Sequence, residues 1–271
     1  MDRLKQLGIT GAFVAVATLF CGWGFISSNN DPLIVALRAA FQLTYSQALQ
    51  IQLVSFLANA VMSFPAASLG NRLGPVNTIL IALSTMIAGC LAVRLGLEQE
   101  SYPAVLTAMF VMALGITMLQ VSANPLAAAL GPAPTSHFRL NLAQTFNSLG
   151  VVMGVNYGAA IMLGDKVMAA GQGAVHGAAE RGEVLRAVDA AFVAMAGMLA
   201  VLALFFWSQR HRIVQAAASI PQVSGPSVLE ALRSRWAIFG SLAIGLYVGA
   251  EVSIGSIMIA YLHQSAVLGL P

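Results

Sequence analysis

Seven long apolar stretches carrying few charges divide this chain, at roughly residues 8–40, 47–70, 75–97, 103–131, 140–164, 187–208 and 234–262. A helix needs about 20 such residues to cross a hydrocarbon core about 30 Å thick. Hydrophobic residues make up 58% of the sequence and charged residues 8%, against about 25% charged in a soluble domain. A water-soluble fold would have too little polar surface to cover itself. In lipid each backbone group must be satisfied internally, which a helix achieves within one segment. The expectation is therefore an all-α membrane protein with about seven transmembrane helices. The first stretch, at 33 residues, would extend about 50 Å as one helix at 1.5 Å per residue. It must tilt, protrude or break.

The lead-in Met1-Asp2-Arg3-Leu4-Lys5 runs directly into this stretch. A secretory signal would have a shorter apolar core and a small-residue cleavage site, so it reads as a retained first helix. Lys and Arg set orientation. With the N-terminus in the cytoplasm, the inner segments hold Arg3, Lys5, Arg72, Arg139, Arg210, Arg212, Arg233 and Arg235, and the outer ones hold Arg38, Arg94, Lys166, Arg181 and Arg186. Eight against five favours that orientation. Glu98, Glu100, Asp165, Glu180, Glu183 and Asp189 collect on the outer side, and Trp207 and Trp236 flank the polar segment 209–233 as candidate interface anchors.

Two proline-containing runs share a pattern. Asp31-Pro32-Leu33-Ile34-Val35-Ala36-Leu37 lies in the first stretch, and Asn124-Pro125-Leu126-Ala127-Ala128-Ala129-Leu130 lies in the fourth, three spans later. Interrupted helices at matching places in repeated halves mark binding sites in transporters. Proline removes a hydrogen bond and disfavours helical geometry in the residue before it. A break is expected at both places. The plainer alternative is that Asp31 and Asn124 cap half-helices that begin at the proline.

Asp31 and Glu251 are the carboxylates inside the spans and away from their outer ends, where Asp189 sits. Intramembrane charge costs about 3 kcal/mol or more, and desolvation favours the neutral acid. A carboxylate that alternates between water and a dry interior can carry a proton, so both residues are proton-coupling candidates. The plainer readings are a helix cap for Asp31 and a packing residue paired with Tyr247 for Glu251. Gln120 and Asn124 share a face of the fourth span at i, i+4, and Asn141, Gln144 and Asn147 line one side of the fifth. Amides both donate and accept, which suits a neutral, hydroxyl-rich solute; ordinary interhelical bonding is the alternative.

Other chemistries find no support. His137, His176, His211 and His263 are scattered, without metal-ligand spacing. The sequence has no phosphate-binding loop and no basic tract for nucleic acid. Lys5 and Lys166 lie outside the spans, which leaves no lysine for a retinal Schiff base. Cys21 and Cys90 both sit in apolar runs, so a disulfide framework is not expected.

The run His137-Phe-Arg-Leu-Asn-Leu-Ala-Gln-Thr-Phe-Asn-Ser148 resembles the signature of bacterial fucose permeases and glucose/galactose transporters, within the major facilitator superfamily. Leu119-Gln-Val-Ser-Ala-Asn-Pro125, Leu130-Gly-Pro132, Asn30-Asp31 and Tyr247-Val-Gly-Ala-Glu-Val-Ser-Ile-Gly-Ser256 are similar to the same family. The fourth-span glutamate of fucose permeases is Gln120 here, and with Glu251 this looks more like the glucose/galactose branch. The superfamily motif after the second span reads Gly70-Asn71-Arg72-Leu73-Gly74, with Asn71 in place of an acidic residue.

The resemblance implies a major-facilitator-type helical bundle of twelve spans, of which this chain would hold seven. Residues 1–208 would form the N-terminal six-helix bundle, 209–233 the cytoplasmic central loop, and 234–271 the first helix of an incomplete second bundle. It implies monosaccharide uptake by proton symport and alternating access across a bacterial cytoplasmic membrane, with the proton as coupling ion and no cofactor. Asp31 would couple to the proton, with Glu251 as a second candidate. Asn30, Asp31, Gln120, Asn124, Gln144 and Asn147 would line the sugar pocket. The expected partners are a small sugar and the lipid bilayer, with oligomeric state open. The alternatives are a non-transporting sugar sensor and an inactive truncated transporter; an intramembrane enzyme lacks a nucleophile–base motif.

Overall fold

The computed structural model describes residues 11–162, 178–218 and 233–262. Among these, the helices in chain order are α1 (Gly11–Ser27), α2 (Asn30–Phe41), α3 (Tyr45–Ala48), α4 (Gln50–Leu73), α5 (Pro75–Glu98), α6 (Tyr102–Ala129), α7 (Ser136–Met162), α8 (Ala178–Ala218) and α9 (Arg235–Leu262), with one 3₁₀ turn at Ala133–Thr135. Among the described residues, each of the seven apolar stretches is mostly helix. By length and composition alone, Gln50–Leu73, Pro75–Glu98, Tyr102–Ala129 and Arg181–Ala216 can each cross a membrane. At 41 residues, α8 extends about 60 Å, well beyond the hydrocarbon core. Its Gln209–Ala218 portion is helical where the sequence reading had a loop.

The first stretch does break, at Ser28-Asn29 between α1 and α2. The Asn29 amide donates to the Ile26 carbonyl at 3.2 Å rather than to Phe25. Two side chains cover the Phe25 carbonyl instead: Ser28 Oγ donates to it at 2.9 Å and Asn29 Nδ2 at 2.5 Å. Polar side chains at a break are how a membrane helix keeps its backbone satisfied. The fourth stretch does not break: α6 runs through Asn124-Pro125 to Ala129. Pro125 stands in the last turns, where its missing N–H leaves the Val121 carbonyl without its helical donor, and the helix closes with Leu130 N donating to Leu126 O at 3.1 Å. Asn124 is thus a mid-helix residue and not a cap. Pro65 is likewise accommodated inside α4.

The chain divides into two units, Met1–Gln222 and Val223–Pro271. In the first, α5 and α6 pack along their length, α1 packs on α7, and α8 covers α5 and α1. The buried side chains include Phe13, Phe20, Met86, Met112, Phe192 and Phe206. Lipid offers helices no hydrophobic incentive to associate, so close fit must hold them together, and small residues permit it. A Cβ on Gly89 would lie 2.7 Å from the Met112 backbone, and one on Gly115 would lie 2.8 Å from the Ala82 carbonyl oxygen. Between α1 and α7 the approach is closer still: a Cβ on Gly24 would strike the Asn147 carbonyl, one on Gly150 the Cys21 carbonyl, and one on Gly154 the Phe25 carbonyl. The second unit contributes α9, on which Arg235 lies over the Trp236 ring at 5.5 Å.

One end of the first unit carries linked charges. Arg94 pairs with Glu98 at 3.0 Å and faces Asp189 at 3.9 Å. Arg181 pairs with Glu100 at 2.8 Å and lies over the Phe41 ring at 5.6 Å. Phe41 packs on Tyr102, whose hydroxyl donates to the Gln47 carbonyl at 2.6 Å. Arg94, Glu98, Glu100, Arg181 and Asp189, which the charge pattern places on one side of the membrane, are here neighbours drawn from α5, the turn after it and α8. Arg3, Lys5, Asp165 and Lys166, which entered the same pattern, lie outside the described residues.

Candidate functional site

Asn124 and Gln144 meet across the α6–α7 hairpin: Gln144 Nε2 donates to Asn124 Oδ1 at 3.3 Å. Both side chains are half-buried. The bond uses one of the two Gln144 protons and one Asn124 acceptor site, leaving the Asn124 NH2 and the Gln144 carbonyl available to a third group. Three residues further along α7, Asn147 Nδ2 donates to the Phe20 carbonyl of α1 at 3.1 Å. The Asn147 side-chain carbonyl stays available as an acceptor. Gly24 makes this contact possible, because any side chain there would collide with the Asn147 backbone.

Gln120 is half-buried on α6, one turn from Asn124 and on the same side. The structure thus pairs Asn124 of α6 with Gln144 of α7 and seats Asn147 of α7 against the backbone of α1, with Gln120 on the Asn124 side of α6. Asn141, the first member of the α7 stripe, is exposed. Asn30 and Asp31 are the first two residues of α2, which packs against α7 and α8; their side chains lie outside the described residues. Glu251 is on α9, in the second unit. Among the described residues no group of three or more His, Cys, Asp or Glu side chains could hold a metal ion.

Two features were missed in the sequence. Thr117 is buried on α6 and its hydroxyl donates to Oδ1 of Asn59 on α4 at 2.5 Å, while also lying 2.9 Å from the Ala113 carbonyl. A signal for Thr117 existed: Thr117, Gln120 and Asn124 follow i, i+3, i+7 along one helix face. The second is Arg139. It was read as an orienting charge, yet its side chain is fully buried. Its guanidinium donates to the Pro132 carbonyl at 3.0 Å, the Thr135 hydroxyl at 2.7 Å, the Gly131 carbonyl at 3.2 Å and the Ala128 carbonyl. A cation set on the Ala128 carbonyl of the last turn of α6 and on the Gly131 and Pro132 carbonyls just past it suits the negative end of that helix. The clamp lies about one turn from the Asn124–Gln144 bond on both helices, so it fixes the hairpin that brings those amides together.

The chain matches the family model described as Major Facilitator Superfamily over residues 12–271. It is 35% identical over 259 residues to a glucose/galactose transporter of Brucella abortus biovar 1 (strain 9-941), covering 96% of this chain and 60% of that protein. It is 34% identical over 151 residues to the L-fucose-proton symporter of Escherichia coli (strain K12), covering 56% of this chain and 34% of that one. The chain thus spans about 60% of the length of the Brucella relative. Among solved structures, it is similar to the transporter FucP in its outward conformation, with a TM-score of 0.60 and 26% identity over 74% of this chain and 50% of that one. With a family match running nearly from end to end and helices arranged as in FucP, this chain belongs to the Major Facilitator Superfamily.

Proposed function

We propose that this chain is part of a monosaccharide transporter that couples sugar uptake to protons by alternating access. The observation that carries the sugar reading is the amide cluster of Asn124, Gln144 and Asn147, with Gln120 beside it. Each amide retains unused donors or acceptors after its interhelical bond. A neutral polyol offers hydroxyls that both give and take hydrogen bonds, and a site built from amides matches it without a net charge. The relatives' names point to the same solute class: glucose/galactose transporter and L-fucose-proton symporter. Gln120 in place of a carboxylate favours glucose or galactose over fucose.

Asp31 is the proposed proton-linked acid, with Glu251 as a second candidate. Asp31 is the second residue of α2, just after the break in the first span. There the backbone departs from regular helix and is covered by Ser28 and Asn29 side chains, a setting in which a carboxylate can exchange between water and protein. The protein is proposed to reside in a bacterial cytoplasmic membrane with its N-terminus inside. It performs transport and not catalysis in this reading, with no cofactor beyond the coupling proton.

The test is uptake of radiolabelled glucose, galactose and fucose into transporter-deficient cells. The cells express this chain alone or extended to twelve spans. Saturable uptake that a protonophore abolishes supports the proposal. Uptake indifferent to the proton gradient removes the coupling, and a sodium requirement redirects it. Binding without flux in either form would favour a sugar sensor.

A further inference from the structure

The α4–α6 contact at Asn59 and Thr117 is assigned no role by the amide cluster on α6 and α7, yet its hydrogen-bond polarity is informative. The two side-chain oxygens are 2.5 Å apart. The Thr117 hydroxyl is the donor and the Asn59 carbonyl the acceptor, so the NH2 of Asn59 faces away from Thr117. Thr117 is buried and has a single proton to give. That proton is directed at Asn59, with the Ala113 carbonyl also in range at 2.9 Å. Asn59 is half-buried, and its NH2 has no hydrogen-bond partner among the described residues. It is the one Asn or Gln between residues 53 and 70 of the second span.

The location is equally specific. Thr117 lies one turn from Gln120 on the α6 face that continues to Asn124. The bond therefore places Asn59 of α4 within about one helical turn, roughly 5 Å of axial rise, of Gln120. A plain packing bond between helices would be complete with the Thr117 hydroxyl and the Asn59 carbonyl. It would not call for an NH2 left with both protons unused in an apolar helix.

We infer that Asn59 is a further sugar-binding residue, which donates from its NH2 to a sugar hydroxyl, and that Thr117 is its positioning residue, fixing which end of the amide faces the sugar. This extends the candidate site from α6 and α7 to α4, and it rests on the reading of that site as a monosaccharide site.

The test is equilibrium dialysis of the purified 271-residue chain in detergent against radiolabelled glucose, galactose and fucose. The variants are Asn59→Ala, Asn59→Asp, Thr117→Val, Thr117→Ser, the double Asn59→Ala/Thr117→Val, and Gln144→Ala. Removing one such donor is expected to weaken binding about five- to tenfold. Asn59→Asp keeps the acceptor for Thr117 but lacks the NH2, so it should lose as much as Asn59→Ala. Thr117→Val should lose a similar factor, and Thr117→Ser should bind like the parent. The double variant should be no weaker than either single, because the two act as a unit. Should Thr117→Val fail to fold, Asn59→Asp still decides the donor claim. Binding unchanged in the Asn59 variants but weakened in Gln144→Ala would overturn the inference and leave the sugar site standing. Losses that multiply in the double variant would remove the positioning role of Thr117. If neither the parent chain nor its twelve-span form binds any of the three sugars, the site reading falls and the inference with it.

Discussion

Gln144 of α7 reaches Asn124 of α6 across 3.3 Å, and the two amides satisfy one another only in part. A pair that served helix packing alone could be replaced by apolar residues at little cost, whereas a pair that also meets a solute could not. Gln144→Ala should therefore reduce sugar affinity by about tenfold while leaving the unfolding temperature of the sugar-free protein nearly unchanged. Parallel binding and thermal-unfolding measurements check this.

The α1–α7 seam depends on missing side chains. Gly150→Ala sets a methyl group against the Cys21 carbonyl, and neither backbone can yield without parting the helices. It should lower stability by about 1–3 kcal/mol. Gly197→Ala on α8 meets nothing within 4 Å. It should be neutral, or stabilising by up to about 1 kcal/mol as helix propensity improves. Thermal unfolding of the two variants in detergent separates fit from propensity.

Arg139 ties the end of α6 to the start of α7. Arg139→Met retains much of the apolar stem but withdraws the donors from the carbonyls of Ala128, Gly131 and Pro132 and from Thr135. Stability should fall by about 1–3 kcal/mol. Arg139→Lys should recover only part of this, since an ammonium cannot fan out over four acceptors as a guanidinium does. The Arg181–Glu100 pair is a contrast. Both partners are substantially exposed, and Arg181→Ala should cost under about 1 kcal/mol. Denaturation of these three variants orders the contributions.

If Asp31 carries the proton, the acid form must be reached during each cycle. Uptake should fall as external pH rises, because the carboxyl spends less time protonated. Asp31→Asn fixes the side chain in an uncharged state, so it should lose concentrative uptake and its pH response together while exchange of sugar across the membrane continues. Counterflow and net uptake, compared between pH 5.5 and 8.5, check the sign.

The helices were legible because each span is an apolar run of sufficient length. A break near α2 was legible from the internal Asp-Pro, while length alone left tilt or protrusion open, as the continuous 41-residue α8 shows. The matching Asn-Pro misled, because Pro125 stands near the end of α6, where a lost hydrogen bond does not interrupt the helix. The α6 and α7 amides were found from helical spacing within one segment. Asn59 and Thr117 were not found as a pair, because their meeting depends on how α4 and α6 slide against one another across 58 residues of chain. Arg139 carried no local sign of burial: the carbonyls that receive it belong to the end of α6 and to the turn that precedes its own helix. Intrahelical spacing is written in sequence, while register between helices is set by the fit of side chains such as Gly24 against Asn147.

The most direct test of proton-coupled sugar transport is the pH of a lightly buffered, anaerobic suspension of cells expressing the twelve-span form when galactose or glucose is added. Symport predicts a prompt alkalinisation of the medium that a protonophore abolishes and that Asp31→Asn lacks. Entry of labelled sugar with no change in external pH would contradict it.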